Sequence, residues 1–265
     1  MKIAIIGAGN MGGALARGLA QGSIIATSDI YVSNPSTAKL DALKNEYPEI
    51  NITRDNRVAT AEADMVVIAV KPWKVVEVLN ELKPHLDYSR QAVASMVGGL
   101  GIAQLSEWLD KGDCTLPATY IIIPNTAIAT MSSMTFISSA RSTAESETLL
   151  LDIFNELGKA MLIEESAMPA ATSLASCGIA YALRYIRAAM EGGVELGIRA
   201  NDAKHIVMQT LRGAVDVLEA SDAHPEAEID RVTTPGGLTI KGLNAMEAAG
   251  FTHSVIEGLR ASTKR

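Results

Sequence analysis

Met1-Lys2-Ile3-Ala4-Ile5-Ile6-Gly7-Ala8-Gly9-Asn10-Met11-Gly12-Gly13 opens the chain. β-Branched and small apolar residues run into glycines, and the apolar positions that follow, Met11, Leu15 and Leu19, recur at helical spacing. The stretch therefore reads as strand, tight turn, helix. A dinucleotide-binding turn needs that context: Gly7 takes the turn angles, Gly9 lets the backbone approach a pyrophosphate, and Gly12 lets the helix pack on the strand. The helix N-terminus, beginning with Asn10 and Met11, then faces the phosphates. The glycine pattern alone is weak, and its alternative is an ordinary glycine turn. Its place between a strand and a helix gives it weight.

Composition sets the outer bounds. The chain has 265 residues, 48% of them hydrophobic, enough for one large or two smaller domains. A formal charge of −7 argues against a nucleic-acid surface and supplies no polybasic membrane patch. Cys114 and Cys177 stand far apart, without disulfide-framework or metal-ligand spacing, which suits a reducing, cytoplasmic setting. The N-terminal apolar run is short and lacks a cationic lead, so it is not expected to be a signal peptide. Two uncharged stretches, residues 114–140 and 166–183, contain proline and many hydroxyl residues and do not read as membrane spans.

Along the chain, residues 30–32 read as a second strand ending at Ser33-Asn34-Pro35-Ser36, with Pro35 opening a helix to about residue 47. Residues 50–53 form a weak third strand. The run Asp64-Met65-Val66-Val67-Ile68-Ala69-Val70 is the clearest strand, unbroken as in a parallel sheet buried on both faces. Lys71-Pro72 stops it, and a helix over 73–83 follows. Further strands are expected at 92–96, 120–123, 134–137 and 160–163. This alternation predicts an α/β fold, a doubly wound, Rossmann-type parallel sheet. Beyond residue 164 the pattern turns helical, with helices over 166–196, 201–220, 238–249 and 253–261. The expected division is a dinucleotide-binding domain over 1–164 and an all-α domain over 165–265. The first of those helices is too apolar for a monomer surface, so a homodimer or higher homo-oligomer is expected.

Nucleotide choice is read at the end of the second strand, where an acidic residue would hold a ribose 2′-hydroxyl. Here Ser33 and Asn34 are neutral and Asp29 comes too early, which favours NADPH while leaving NADH possible. A simple turn before Pro35 is the alternative. Ala69, Val70, Lys71 and Pro72 lie at the carboxyl end of the clearest strand, where ligands bind in such sheets. Ser95 to Gly99 and Pro124-Asn125-Thr126 are further candidates on that edge. Lys71 reads equally as a cofactor contact or a solvated end residue, and Asn125, locked behind proline, as an amide orienting a carbonyl. Far downstream, Thr234-Pro235-Gly236-Gly237-Leu238-Thr239 precedes a helix and offers free N–H groups to a carboxylate, with hydroxyls from Thr234 and Thr239. An ordinary N-cap accounts for only one threonine and one glycine of that group. The four histidines are scattered and make no metal site, and His224 reads as a loop residue.

These motifs together resemble the pyrroline-5-carboxylate reductases: Gly7 to Gly12, Val70-Lys71-Pro72, Ser95 to Gly99, Pro124-Asn125-Thr126, Gly178 with Ala180-Tyr181, His224-Pro225, and above all Val232 to Thr239. The resemblance implies hydride transfer from NADPH to C5 of a cyclic imine, giving L-proline. It also implies that Thr239 stands near the imine nitrogen, and that Thr234 with the Gly236, Gly237 and Leu238 amides cradles the carboxylate. Asn56 and Ala69 become cofactor contacts, and interlocked dimers build each active site from both subunits. Three departures stand out. Ile121 replaces an arginine, Ala175-Ser176-Cys177-Gly178-Ile179 replaces Ser-Gly-Ser-Gly-Pro, and Leu238 replaces a smaller or hydroxylated residue. The alternatives are a related imine or β-hydroxyacid oxidoreductase, although residues 166–183 lack the lysine the latter uses, and a catalytically silent NADP-binding module.

Overall fold

The structure is a computed structural model describing residues 1–112 and 115–263; Cys114 lies outside the described residues. Its first part alternates β1 (Ile3–Ile6), α1 (Asn10–Gln21), β2 (Ile30–Ser33), α2 (Thr37–Glu46), β3 (Asn51–Thr53), α3 (Asn56–Thr60), β4 (Met65–Ile68), α4 (Val75–Leu82), β5 (Ala92–Ser95), α5 (Ile102–Leu109) and β6 (Thr119–Ile123). β7 (Ser133–Ala140), α6 (Ala144–Glu156) and β8 (Gly158–Leu162) complete an eight-stranded sheet ordered β3-β2-β1-β4-β5-β6-β7-β8.

The unbroken apolar strands are buried because helices cover both faces. Alternate residues of β1 and β4 point to opposite sides: Ile3, Ile5, Met65 and Val67 join one core cluster, and Ala4, Ile6, Val66 and Ile68 the other. Leu15 and Leu19 of α1, Leu40 and Leu43 of α2, and Leu150 and Ile153 of α6 fill the first cluster. Leu79 and Leu82 of α4, with Leu105 and Leu109 of α5, fill the second.

The doubly wound sheet is as expected, with local differences. β6 and β7 pair antiparallel, whereas the other strand pairs are parallel. The connection between them holds only a 3₁₀ turn, Thr126–Thr130, too short for the crossover that a parallel pair requires. α2 begins two residues after Pro35, with Ser36 as its N-cap. The expected helix over 73–83 is divided into a 3₁₀ turn, Pro72–Lys74, then α4, then a second 3₁₀ turn, Lys83–His85.

The helical remainder differs most from its sequence pattern. Instead of one helix over 166–196 there is a 3₁₀ turn, Glu165–Ala167, then α7 (Met168–Thr172), a π-helical turn, Ser173–Cys177, and α8 (Gly178–Glu195). Ser173 is buried at this turn, and the Ser176 hydroxyl donates to Pro124 O at 3.2 Å, so tertiary contacts accompany the wider turn that the apolar pattern cannot encode. α9 (Ala200–Ser221), α10 (Pro225–Arg231), α11 (Leu238–Ala248) and α12 (Phe251–Thr263) follow. α10 has no counterpart in the sequence reading. His224 is its N-cap rather than a loop residue, its Nδ1 accepting the Glu226 N–H at 3.2 Å.

Contacts divide the chain into two compact units, Met1–Ser176 and Cys177–Arg265. The first continues past residue 164 through α7, whose Met168 is buried in the second core cluster. In the second, α8 and α9 approach closely enough that a Cβ on Gly193 would lie 3.1 Å from Ala203 Cβ. Ala203 is nevertheless the only fully buried residue among those described there, while Leu183, Val194, Leu196, Ile206 and Val215 are exposed. Five helices without a core of their own require another surface to cover their apolar faces.

Candidate active site

Strand order reverses between the neighbours β1 and β4, so the crevice at their carboxyl ends is where such a sheet accepts a ligand. The glycine turn sits on it. Gly7 has φ +108°, and a Cβ there would lie 2.7 Å from Ala69 O; on Gly12 it would lie 1.9 Å from Gly7 O. Gly9 differs, with no atom within 4 Å of its would-be Cβ. Two glycines thus let the turn close on the sheet, and the third leaves a surface that a pyrophosphate can approach. Gly9 is also the N-cap of α1 and offers no side-chain cap, so the first N–H groups of that helix lack intrahelical acceptors.

The end of β2 holds the turn in place. Gly7 N–H donates to Ser33 O at 2.8 Å, and Ala8 N–H to Asn34 Oδ1 at 3.0 Å. The Asn34 amide nitrogen donates to Ser36 O at 3.1 Å. Ser33 is fully buried, with its hydroxyl hydrogen-bonded to Asn56 Oδ1, and Asn56 Nδ2 donates to Glu81 Oε2 at 3.0 Å. Asp55 caps α3 beneath this pair, and its hydrogen bonds from Arg57 hold its carboxyl below the usual carboxylate range. Ser33, Asn34 and Asn56 therefore already bond within the protein and act as supports for the turn.

A cavity of about 290 Å³ lies against these elements. It brings together Gly7, Gly9, Asn10, Met11, Asn34, Ala69, Val70, Lys71 and Pro72, all expected from the sequence. Gly12 lies beneath the turn, and Ser33 and Asn56 stand behind it. Met96, Val97 and Gly98 also line the cavity, as does Lys39 of α2, which the sequence reading missed. Its available signal was a lysine in the first turn of the helix after the second strand.

Asn125 is placed differently from its expected role. It is buried, its Oδ1 accepts Ala127 N–H at 3.0 Å, and its amide nitrogen reaches Ala175 O at 3.5 Å. The side chain caps the 3₁₀ turn after β6 and links it to the π turn. Ile121, a departure from the resembled pattern, is fully enclosed in the second core cluster.

In the second unit the Thr234 to Thr239 segment forms a tight turn. Gly237 N–H donates to Thr234 O at 2.9 Å, Gly236 takes φ +72°, and a Cβ on Gly237 would lie 2.6 Å from Thr234 Oγ1. α11 then starts at Leu238 without a side-chain cap, leaving the Leu238 and Thr239 N–H groups without intrahelical acceptors. Thr234, Thr239 and Leu238 are exposed, Leu238 at 86%. That arrangement suits an anion over the first turn beside two hydroxyl groups.

Residues 165–265 match the family described as pyrroline-5-carboxylate reductase dimerisation, and residues 2–98 match NADP oxidoreductase, coenzyme F420-dependent. Across the whole chain, 37% of residues are identical to those of pyrroline-5-carboxylate reductase 2 of Dictyostelium discoideum, 91% of which is covered. The chain belongs to the pyrroline-5-carboxylate reductase family. The pyrroline carboxylate reductase of Plasmodium falciparum, solved with NADP bound, superposes with a TM-score of 0.88 at 29% identity, over 99% of this chain and 95% of that one. A pyrroline-5-carboxylate reductase of Coxiella burnetii gives 0.88 at 27% identity, covering 99% and 96%.

Proposed function

We propose that this protein is an NADPH-dependent reductase that converts L-1-pyrroline-5-carboxylate to L-proline. The observation that supports it from the structure is the Gly9 surface, open to a pyrophosphate within a turn otherwise closed on backbone atoms. When bound, NADPH supplies the hydride that adds to C5 of the imine, while a proton reaches the nitrogen.

The chain's own residues divide the remaining work. Gly7, Gly9, Asn10 and Met11 would hold the phosphates against the start of α1, Gly12 packs the helix on the turn beneath them, and residues 69–72 line the cavity beside them. Ser33, Asn34 and Asn56 keep the turn in register. Thr234, Gly236, Gly237 and Leu238 receive the substrate carboxylate at the start of α11. The Thr239 hydroxyl hydrogen-bonds the imine nitrogen, orienting it and relaying its proton. Asn125 supports this edge of the sheet by capping the turn after β6.

The protein works as a homo-oligomer, with a homodimer as its smallest form, which covers the apolar faces of α8 and α9. A small-molecule substrate and a cytoplasmic location fit the same reading, with no nucleic-acid partner. Among the described residues no helix is long and apolar enough to cross a membrane. Spectrophotometric assay of NADPH oxidation with pyrroline-5-carboxylate tests the proposal, with NADH and the six-membered imine homologue as comparisons. Turnover is expected with the five-membered imine and NADPH; NADPH binding without turnover would instead support the silent module.

A further inference from the structure

We propose that Lys39 is the residue that recognises the cofactor's 2′-phosphate and so sets the preference for NADPH over NADH. This rests on the reading of the chain as an NADPH-dependent reductase. The 2′ end of a dinucleotide lies near the carboxyl end of the second strand of such a sheet. Two neutral residues end that strand here, and both are already engaged. Ser33 is fully buried against Asn56, and Asn34 accepts from Ala8 and donates to Ser36. Neither offers the positive charge that a phosphate dianion requires.

Three cations border the space on either side of Gly9. The cavity that holds Gly9 and Asn34 is lined by Lys39 and Lys71, and an adjoining one along α1 and α2 by Arg17 and Lys39. Arg17 is paired with Glu46 at 2.7 Å and also donates to Gly13 O at 3.3 Å. Lys71 follows β4, on the opposite side of β1 from β2. Lys39 alone borders both cavities, on the helix that follows β2, and its ammonium makes no hydrogen bond or ion pair among the described residues.

Its position on α2 adds a separate argument. The first turn contains no acidic residue, and the Ser36 side chain makes no capping hydrogen bond. A lysine at the positive end of a helix is unfavourable by itself, and the arrangement becomes favourable when an anion sits between the ammonium and the helix start. The adenosine 2′-phosphate has the charge for that place, and the uncharged 2′-hydroxyl of NADH does not.

Calorimetric titration of the full-length protein with NADPH, NADH, 2′,5′-ADP and ADP tests this without relying on turnover. Lys39→Gln should weaken NADPH and 2′,5′-ADP by about tenfold or more and leave NADH and ADP unchanged, as expected for loss of one charge-assisted contact. Lys39→Arg should restore most of that difference, and Lys71→Gln should leave the NADPH-to-NADH ratio unchanged. An unchanged ratio in Lys39→Gln overturns the proposal, as does an equal loss for both cofactors, which would place Lys39 over the shared pyrophosphate. If wild-type protein bound neither NADPH nor NADH, the reductase reading itself would fail and the proposal with it.

Discussion

The side-chain oxygen of Asn34 accepts the backbone N–H of Ala8 at 3.0 Å, tying the end of β2 to the glycine turn after β1. Asn34→Ala removes that tie and should weaken NADPH and NADH alike, because the turn that both share loses its support. Asn34→Asp keeps an acceptor for Ala8 but places a negative charge beside the 2′ end. It should therefore shift preference toward NADH, read as the ratio of dissociation constants for the two cofactors.

Gly12 and Gly9 separate folding from binding. Gly12→Ala forces a Cβ to within 1.9 Å of Gly7 O and should cost about 3 kcal/mol or more of stability, measured by chemical denaturation. Gly9→Ala places its methyl in open space and should cost less than about 1 kcal/mol, the difference between alanine and glycine as an N-cap. Its NADPH affinity should still fall about tenfold, because that open space is where the phosphates approach. Equal losses of stability in the two variants would contradict this division.

Thr239 should matter to rate more than to binding. Thr239→Ala is expected to lower kcat by about 100-fold, the lower range for loss of a positioned proton donor, with Thr239→Ser retaining most activity. Unchanged cofactor affinity in both variants would confine the effect to the imine.

Glu156 makes one part of the fold sensitive to acid. Its carboxylate accepts the N–H groups of Ser23 and Ile24, each at 3.0 Å, and the Ser23 hydroxyl, and the Ser23 hydroxyl bond is the main reason its pKa lies below the usual glutamate value. A depressed folded pKa contributes stability above the unfolded pKa, and that contribution is lost as pH falls through the folded value. Wild-type stability should accordingly decline below about pH 4. Glu156→Gln should be less stable at neutral pH by about 1–2 kcal/mol and show a shallower acid decline.

Leu183 of α8 is 59% exposed in the single chain. Leu183→Glu should dissociate the homo-oligomer, seen as a halved or smaller mass in light scattering, and lower the melting temperature. A subunit contact that buries this leucine contributes about 2 kcal/mol per copy, before the cost of desolvating a charge.

The sequence by itself determined the features that depend on near neighbours. Unbroken apolar runs at β1 and β4 required burial on both faces, and the glycines at 7, 9 and 12 declared a turn in which side chains have no place. Pro235-Gly236-Gly237 declared a helix start in the same way. Tertiary structure alone decided which polar groups remained available. Asn34 and Asn125 looked like free amides, yet their partners Ala8 and Ala175 come from distant parts of the chain. Lys39 carries no motif in the sequence, and only the fold set it at a cavity wall beside the glycine turn. The antiparallel β7 and the π turn have the same origin, since strand direction and the register of a helix against a sheet depend on long-range contacts. Local backbone demands are fixed by adjacent residues, whereas the availability of a donor, acceptor or charge depends on what the folded chain places opposite it.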